Sequence, residues 1–176
     1  MNTWIAFLRG VNVGGHAKLP MKPLCSTMDL NGFEETRSYI QSGNLVFSHP
    51  AASANDVSRA VRSLLEVYVD MSPEVVALRP DTLDKIITRC PFEADDPKSL
   101  HYILFKQPPA NANHEQIDAL RAEDEAFEIG SRAAYLYAPS GIGRSRLAAS
   151  QERLLGVPTT VRNKRTLEAV RKLAQG

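Results

Sequence analysis

Apolar and polar positions alternate along this chain in blocks whose spacing predicts short strands and helices. The first half contains four strand-like runs, at residues 4–8, 36–41, 44–48 and 75–78. Between them lie two helical patterns, at residues 21–28 and 57–68. The run at 4–8 is apolar throughout, which is typical of a central strand that is buried on both faces.

The order of these elements is β-α-β-β-α-β, which is the split βαβ or ferredoxin-like arrangement. The second half repeats that order after a linking helix, with negligible sequence identity between the halves, and adds a helix at the C-terminus. We therefore predict an α+β fold with two ferredoxin-like units, each built on an antiparallel sheet. The expected domains are residues 1–80 and residues 81–176, the second including the linking helix and the extra C-terminal helix.

Composition narrows the classes of partner. The 21 lysine and arginine residues nearly cancel the 20 aspartate and glutamate residues, so no overall field attracts a polyanion and anion recognition must be local. Cys25 and Cys90 lack the spacing of a paired motif, which favours structural thiols in a reducing compartment. No apolar run approaches about 18 residues, and the N-terminus leads directly into a strand, so we expect a cytoplasmic protein without membrane contact.

The clearest chemical motif is Arg9-Gly10-Val11-Asn12-Val13-Gly14-Gly15, which follows the first strand. Glycines at such a position let backbone N–H groups approach a ligand closely, and Arg9 supplies a permanent charge and a planar donor fork that suits carboxylate or phosphate. A second polar turn, Gln41-Ser42-Gly43-Asn44, follows the second strand. Because the first and second strands of a split βαβ unit run parallel, we expect both turns at the same edge of the sheet.

The second half contains a comparable pair of segments. The loop from Gly141 to Arg146 and the pair Arg162-Asn163 follow its third and fourth strands, which also run parallel. If the two edges face each other, one interdomain cleft receives side chains from both halves, and Arg9, Arg144 and Arg162 bind one small anionic ligand. The predicted ligand-binding residues are Arg9, Asn12, Gly14, Gly15, Gln41, Ser42, Asn44, Gly143, Arg144, Ser145, Arg162 and Asn163.

Structural roles stay open for these residues. The glycines fit tight turns that require positive φ, and the side-chain amides fit hydrogen bonds to turn backbone. Ser145 fits the N-cap of a helix, where the helix dipole also attracts anions. Arg9 fits an ordinary surface ion pair. The convergence of two pairs of loops is what favours a binding site.

Two functions compete at this point. The first is a small-molecule binder or enzyme for a phosphorylated or nucleotide-like ligand. The second is an RNA or single-stranded nucleic-acid binding module in which Tyr39 and Phe47 stack on bases, although the net charge of +1 disfavours it. The Arg9 motif lacks the ending of a P-loop and the glycine spacing of a dinucleotide fingerprint, and no metal cluster is evident, so neither cofactor nor metal is expected. No residue is assigned a catalytic role.

Four strings carry a family resemblance: the motif from Arg9 to Gly15, the run Tyr39-Ile40-Gln41-Ser42-Gly43-Asn44-Leu45-Val46-Phe47, Gly141-Ile142-Gly143-Arg144-Ser145, and Arg162-Asn163. In this order and spacing, the chain resembles the bacterial family named domain of unknown function 1697 over essentially its whole length. The resemblance implies an α+β fold with two ferredoxin-like parts and a cytoplasmic bacterial protein, and it implies no particular activity or cofactor. Where the family tends to have an aromatic residue after the Arg-Asn pair, this chain has Lys164, so a charge replaces a stacking ring.

Overall fold

The computed structural model describes residues 1–14 and 18–176, which form eight strands, six α-helices and a short 3-10 helix at Ile142–Arg144. The strands are β1 (Asn2–Leu8), β2 (Glu34–Tyr39), β3 (Asn44–His49), β4 (Val75–Leu78), β5 (Leu100–Phe105), β6 (Ala126–Ile129), β7 (Ala133–Tyr137) and β8 (Thr159–Asn163). The α-helices are α1 (Met21–Asp29), α2 (Ala54–Val69), α3 (Pro80–Thr88), α4 (His114–Leu120), α5 (Arg146–Leu155) and α6 (Lys164–Gln175). The α+β class predicted from residue spacing is confirmed.

The first four strands form an antiparallel sheet in the order β2-β3-β1-β4. β1 pairs with both β3 and β4, so its apolar run does lie in the interior of the sheet. Trp4, Ala6 and Leu8 alternate along β1 and belong to one apolar core with Met28 of α1 and Leu65 of α2. Since β1 and β2 are both antiparallel to β3, they run parallel to each other and end at the same edge.

The last four strands form a second antiparallel sheet with the equivalent order, β6-β7-β5-β8. Ile103 and Phe105 of β5 belong to an apolar core with Ile117 of α4 and with Leu147 and Leu155 of α5. β7 and β8 are both antiparallel to β5 and therefore end at one edge. The two sheets confirm the prediction of two ferredoxin-like units.

The chain divides into two compact units, one of residues 1–85 with 168–176 and the other of residues 86–167. The domains expected from the sequence, 1–80 and 81–176, assign both α3 and α6 to the second domain. In the structure, the beginning of α3 and most of α6 belong to the first unit, and Arg171 Nε of α6 lies 3.9 Å from Asp84 Oδ1 of α3. Among the helices of the described residues, none combines the length and the apolar character that crossing a membrane requires.

Candidate anion site

The edge where β1 and β2 end brings the two polar turns of the first unit together. Phe7, Asn44 and Tyr39 lie in one row across β1, β3 and β2, and the turns follow just beyond this row. Leu8 N–H donates to the carbonyl of Gly43 at 2.8 Å. Gly43 has φ of +75°, and a Cβ added there would lie 2.7 Å from Leu8 Cβ, so only glycine fits the contact. Together with the hydrogen bond from Asn12 Nδ2 to the carbonyl of Gln41, this arrangement confirms the predicted contact between the two turns.

Asn12 holds the loop after β1 in place. Its Oδ1 accepts a hydrogen bond from Leu19 N–H at 2.6 Å, and its Nδ2 donates to the carbonyl of Leu19 at 2.7 Å. Nδ2 also donates to the carbonyl of Gln41 in the hairpin between β2 and β3. The oxygen and the NH₂ group of the Asn12 side chain are thus hydrogen-bonded to backbone groups, which makes Asn12 a positioning residue. Its predicted contact with a ligand stays a prediction.

The amides of the hairpin are engaged in a similar way. Asn44 is buried, and its Nδ2 donates to the carbonyl of Tyr39 and to Ser42 Oγ, each at 3.0 Å. Gln41 is exposed, and its Oε1 accepts from Met21 N–H at 3.4 Å. The structural alternative for these amides, hydrogen bonding to turn backbone, is therefore observed.

Residues 9–14, which we call the donor loop, have an alternating backbone. Gly10, Asn12 and Gly14 have φ values of +67°, +56° and +63°, whereas Val11 and Val13 between them do not have positive φ. Within the described chain, the five backbone N–H groups of residues 10–14 donate no well-formed hydrogen bond, although residues 11–12 form a turn. An anion-binding nest, in which successive N–H groups converge, requires neighbouring residues of opposite φ sign, and residues 10–14 have this alternation.

The donor loop is anchored on one side and open on the other. Val11 is 1% exposed and belongs to the core of the first unit, whereas Val13 is 62% exposed. Arg9 and Lys18 are exposed cationic residues before and after this segment. The backbone N–H of Arg9 donates to the carbonyl of Glu74 at 2.9 Å, so the start of the loop is tied to the residue that precedes β4. The remaining candidate of this motif, Gly15, lies outside the described residues.

In the second unit, the glycine-rich loop has a different character. Arg144 N–H donates to the carbonyl of Gly141 at 3.1 Å, within the 3-10 helix. Ser145 Oγ accepts from Ala148 N–H at 3.0 Å and caps α5, as the structural interpretation of this serine predicted. Gly143 and Arg144 are exposed. The backbone N–H groups of Gly141, Arg144 and Ser145 are thus used within the turn.

Arg162 and Asn163 lie at the end of β8. The guanidinium of Arg162 donates from one nitrogen to Thr160 Oγ1 and to the carbonyl of Val161, each at 2.8 Å. Burial lowers the pKa of Arg162 to about 10, so the group keeps its charge at neutral pH. Asn163 Oδ1 accepts from Thr166 N–H at 2.9 Å and so caps α6.

The aromatic residues proposed for base stacking differ in exposure. Phe47 is 1% exposed, and its ring packs edge-on against Phe33 with centroids 5.0 Å apart. The predicted stacking of Phe47 on a base is wrong. Its side chain lies on the face of β3 that packs into the apolar core of the first unit, together with residues of α1 and α2. Tyr39 is half-buried on β2, and its stacking stays a prediction.

Burial favours the neutral form of one thiol and two imidazole rings in the described chain. Burial raises the pKa of the Cys25 thiol, so the thiol is protonated at neutral pH. Burial lowers the pKa of His49 and of His101, so both rings are neutral there. Within residues 1–14 and 18–176, no group of three or more histidine, cysteine, aspartate or glutamate side chains is placed to hold a metal ion.

The sequence-based set of candidates omitted residues that the structure places at this edge. Gly10, Val11 and Val13 belong to the Arg9 motif and carry three of the donor N–H groups. Ile40 lies immediately before Gln41 in the hairpin, with φ of +49° and 52% exposure. No pattern in the sequence predicts this backbone conformation, because β-branched residues rarely have positive φ.

The chain belongs to the family described as protein of unknown function DUF1697, whose model matches residues 1–135. The family inferred from the motifs is therefore confirmed over residues 1–135, a range that includes the donor loop and the hairpin at 40–43. The motifs Gly141–Ser145 and Arg162-Asn163 lie beyond the matched range. A solved structure, that of the conserved bacterial protein SP0830 from Streptococcus pneumoniae, is similar in fold with a TM-score of 0.70, 22% identity and 98% of each chain covered. The comparison with curated proteins yields no match.

Proposed function

We propose that this member of the DUF1697 family binds a small phosphorylated anion at the donor loop. The observation that carries the proposal is the alternation of φ along residues 10–14, with five backbone N–H groups that make no well-formed hydrogen bond in the described chain. Backbone donors require partners from protein, water or ligand. Several donors that converge are matched well by one anion with several acceptor oxygens, and phosphate is such an anion.

Positive charge near the loop favours the same ligand. Arg9 precedes the first donor and Lys18 follows the loop, and both are exposed. A guanidinium forms two parallel hydrogen bonds with a phosphate, and each hydrogen bond to a charged group contributes about 1.5 to 3 kcal/mol. Two or three such bonds contribute about 3 to 9 kcal/mol before the entropic cost of association of about 4 kcal/mol or more, so the expected affinity is weak, at about the millimolar level.

Preorganisation of the loop adds to this affinity. Three hydrogen bonds of the Asn12 amide, the buried side chain of Val11 and the contact of Leu8 with Gly43 hold the loop in the free protein. A ligand that binds a loop already in this conformation does not have to order it. The proposal concerns the first unit by itself, and the participation of Arg144, Arg162 and the cleft predicted from the sequence stays a prediction.

A titration of the 15N-labelled protein with inorganic phosphate tests the proposal. We expect saturable downfield shifts of the amide protons of residues 10–14, because N–H groups that donate to an anion are deshielded. Arg9→Ala is expected to weaken binding by about tenfold, which corresponds to the loss of about 1.4 kcal/mol. Arg59→Ala is the matched control, since Arg59 is an exposed arginine of α2 that pairs only with Asp56 at 3.6 Å among the ion pairs observed in the described chain.

The conformation of the loop is tested separately. Gly10→Ala and Gly14→Ala add a methyl group that meets no atom within 4 Å but disfavours positive φ. Gly156→Ala, at the C-cap of α5 with φ of +70°, has the same open surroundings and the same strain. We expect all three variants to lose similar stability and only the first two to lose phosphate affinity. Phosphate-induced shifts that are absent from residues 10–14, or equal affinity in all variants, would contradict the proposal.

A further inference from the structure

Two exposed apolar side chains lie at the donor loop. Val13 is 62% exposed, although the neighbouring valine of the same loop, Val11, is buried. Ile40 is 52% exposed in the hairpin that contacts the loop. Asn12 Nδ2 donates to the carbonyl of Gln41, and Val13 follows Asn12 directly while Ile40 precedes Gln41 directly. Val13 is therefore the chain neighbour of the residue that donates this hydrogen bond, and Ile40 is the chain neighbour of the residue that accepts it.

Ile40 is an unfavourable residue for the free protein at this position. Its φ of +49° lies in the left-handed region, where a β-branched side chain collides with its own backbone. Asparagine and glycine adopt this conformation readily and are common in hairpin turns. Since half of the Ile40 side chain is in water, burial in the core does not compensate for the strain. Strained residues of this kind are characteristic of binding sites, where a ligand makes use of the side chain.

We propose that the ligand of the donor loop carries an apolar ring next to its phosphate, and that Ile40 and Val13 contact this ring. The inference rests on the proposed function, because the phosphate is the group that places the ring beside these side chains. It specifies the ligand as a phosphate monoester of an aromatic or other ring-bearing alcohol. The backbone N–H groups bind the charged end, and the two apolar side chains remove part of the ring from water.

Phenyl phosphate, methyl phosphate and inorganic phosphate distinguish the parts of this proposal. At about pH 8, both esters are dianions, since the second pKa of a phosphate monoester is about 6. We expect phenyl phosphate to bind about fivefold to tenfold more tightly than methyl phosphate, the gain expected when about 40 to 55 Å² of apolar surface leaves water. Nuclear Overhauser effects are expected between the phenyl protons and the methyl groups of Ile40 and Val13.

Ile40→Asn is the decisive variant. Asparagine tolerates positive φ, so the variant is expected to raise the Tm of the free protein while it abolishes the preference for phenyl over methyl phosphate. Its affinity for methyl phosphate is expected to stay within about twofold of the parent. Val13→Ser is expected to reduce the preference by about half, and Val67→Ser, at an exposed valine of α2, is the control that leaves it unchanged.

The possible failures are distinguishable. If no phosphate compound shifts the amides of residues 10–14, the proposed function fails and this inference fails with it. If phenyl and methyl phosphate bind equally well, the proposed function stands and the apolar contact is overturned. Equal losses of both affinities in Ile40→Asn would also overturn it, because Ile40 would then act on the shape of the loop and not on the ring.

Discussion

The two units share one topology but differ in the connection between the first strand and the first helix. In the first unit, this connection contains the donor loop, with three residues of positive φ. In the second unit, residues 106–113 contain no residue of positive φ, and Pro108 and Pro109 have no backbone N–H at all. Asn113 ends that connection by capping α4 and donates its own N–H to the carbonyl of Leu154 at 2.8 Å.

This difference distinguishes the position of a loop, which the shared strand order determines, from the chemistry of the loop, which its own residues determine. The strand order places the equivalent connection at an edge of the sheet in both units. The first connection combines backbone N–H groups with three residues of positive φ, while the second has no residue of positive φ and lacks an N–H group at each of its two prolines. Function on a common scaffold depends on such local chemistry.

The largest expected effect is on the hairpin that supports the donor loop. Gly43→Ala places a Cβ against Leu8 Cβ at 2.7 Å and forces alanine to φ of +75°, so we expect a loss of about 2 to 4 kcal/mol in the free energy of unfolding. Urea unfolding followed by the fluorescence of Trp4, the single tryptophan, reports on the first unit. Gly156→Ala, followed by circular dichroism, has strain without a clash and should lose about 1 kcal/mol. Equal losses in the two variants would show that the contact with Leu8 is unimportant.

A smaller effect is expected from the asparagines of the two connections. Asn12→Ala removes three hydrogen bonds to backbone and should cost about 2 to 3 kcal/mol, together with most of the phosphate affinity. Asn113→Ala removes one cap of α4 and should cost about 1 kcal/mol without an effect on phosphate. Urea unfolding and the phosphate titration measure both quantities. Unchanged phosphate affinity in Asn12→Ala would mean that the loop does not depend on this amide.

The smallest effect is a pH dependence that differs between the units. Burial lowers the pKa of His101 in the second unit and of His49 in the first. As the pH falls below about 6.5, the unfolded chain takes up protons that the folded rings bind less readily, so the free energy of unfolding decreases. His101→Gln should flatten this decrease more than His49→Gln, because His101 is more deeply buried. Unfolding free energies at about pH 7.5 and pH 5.5 test the order, and identical pH dependence in both variants and the parent would refute it.

Several features of the candidate site follow from the sequence because they depend on local patterns. The approach of the Arg9 motif to the hairpin follows from parallel strands, and the caps at Ser145 and Asn163 follow from residue type before a helix. The role of Asn12 is harder to predict, because its partners are the backbone groups of Leu19 and Gln41. An amide that is suited to a ligand is equally suited to a peptide group, and only the folded position selects between them.

The sequence by itself determined the class of fold, the order of the elements and the edge at which the polar turns lie. These properties depend on the spacing of apolar residues and on strand direction, which are encoded over short stretches of chain. Tertiary structure decided which polar groups are engaged, that Phe47 is buried, that Ile40 has positive φ, and that most of α6 belongs to the first unit. Each of these depends on contacts between residues far apart in the chain, and such contacts exist only when packing has brought those residues together.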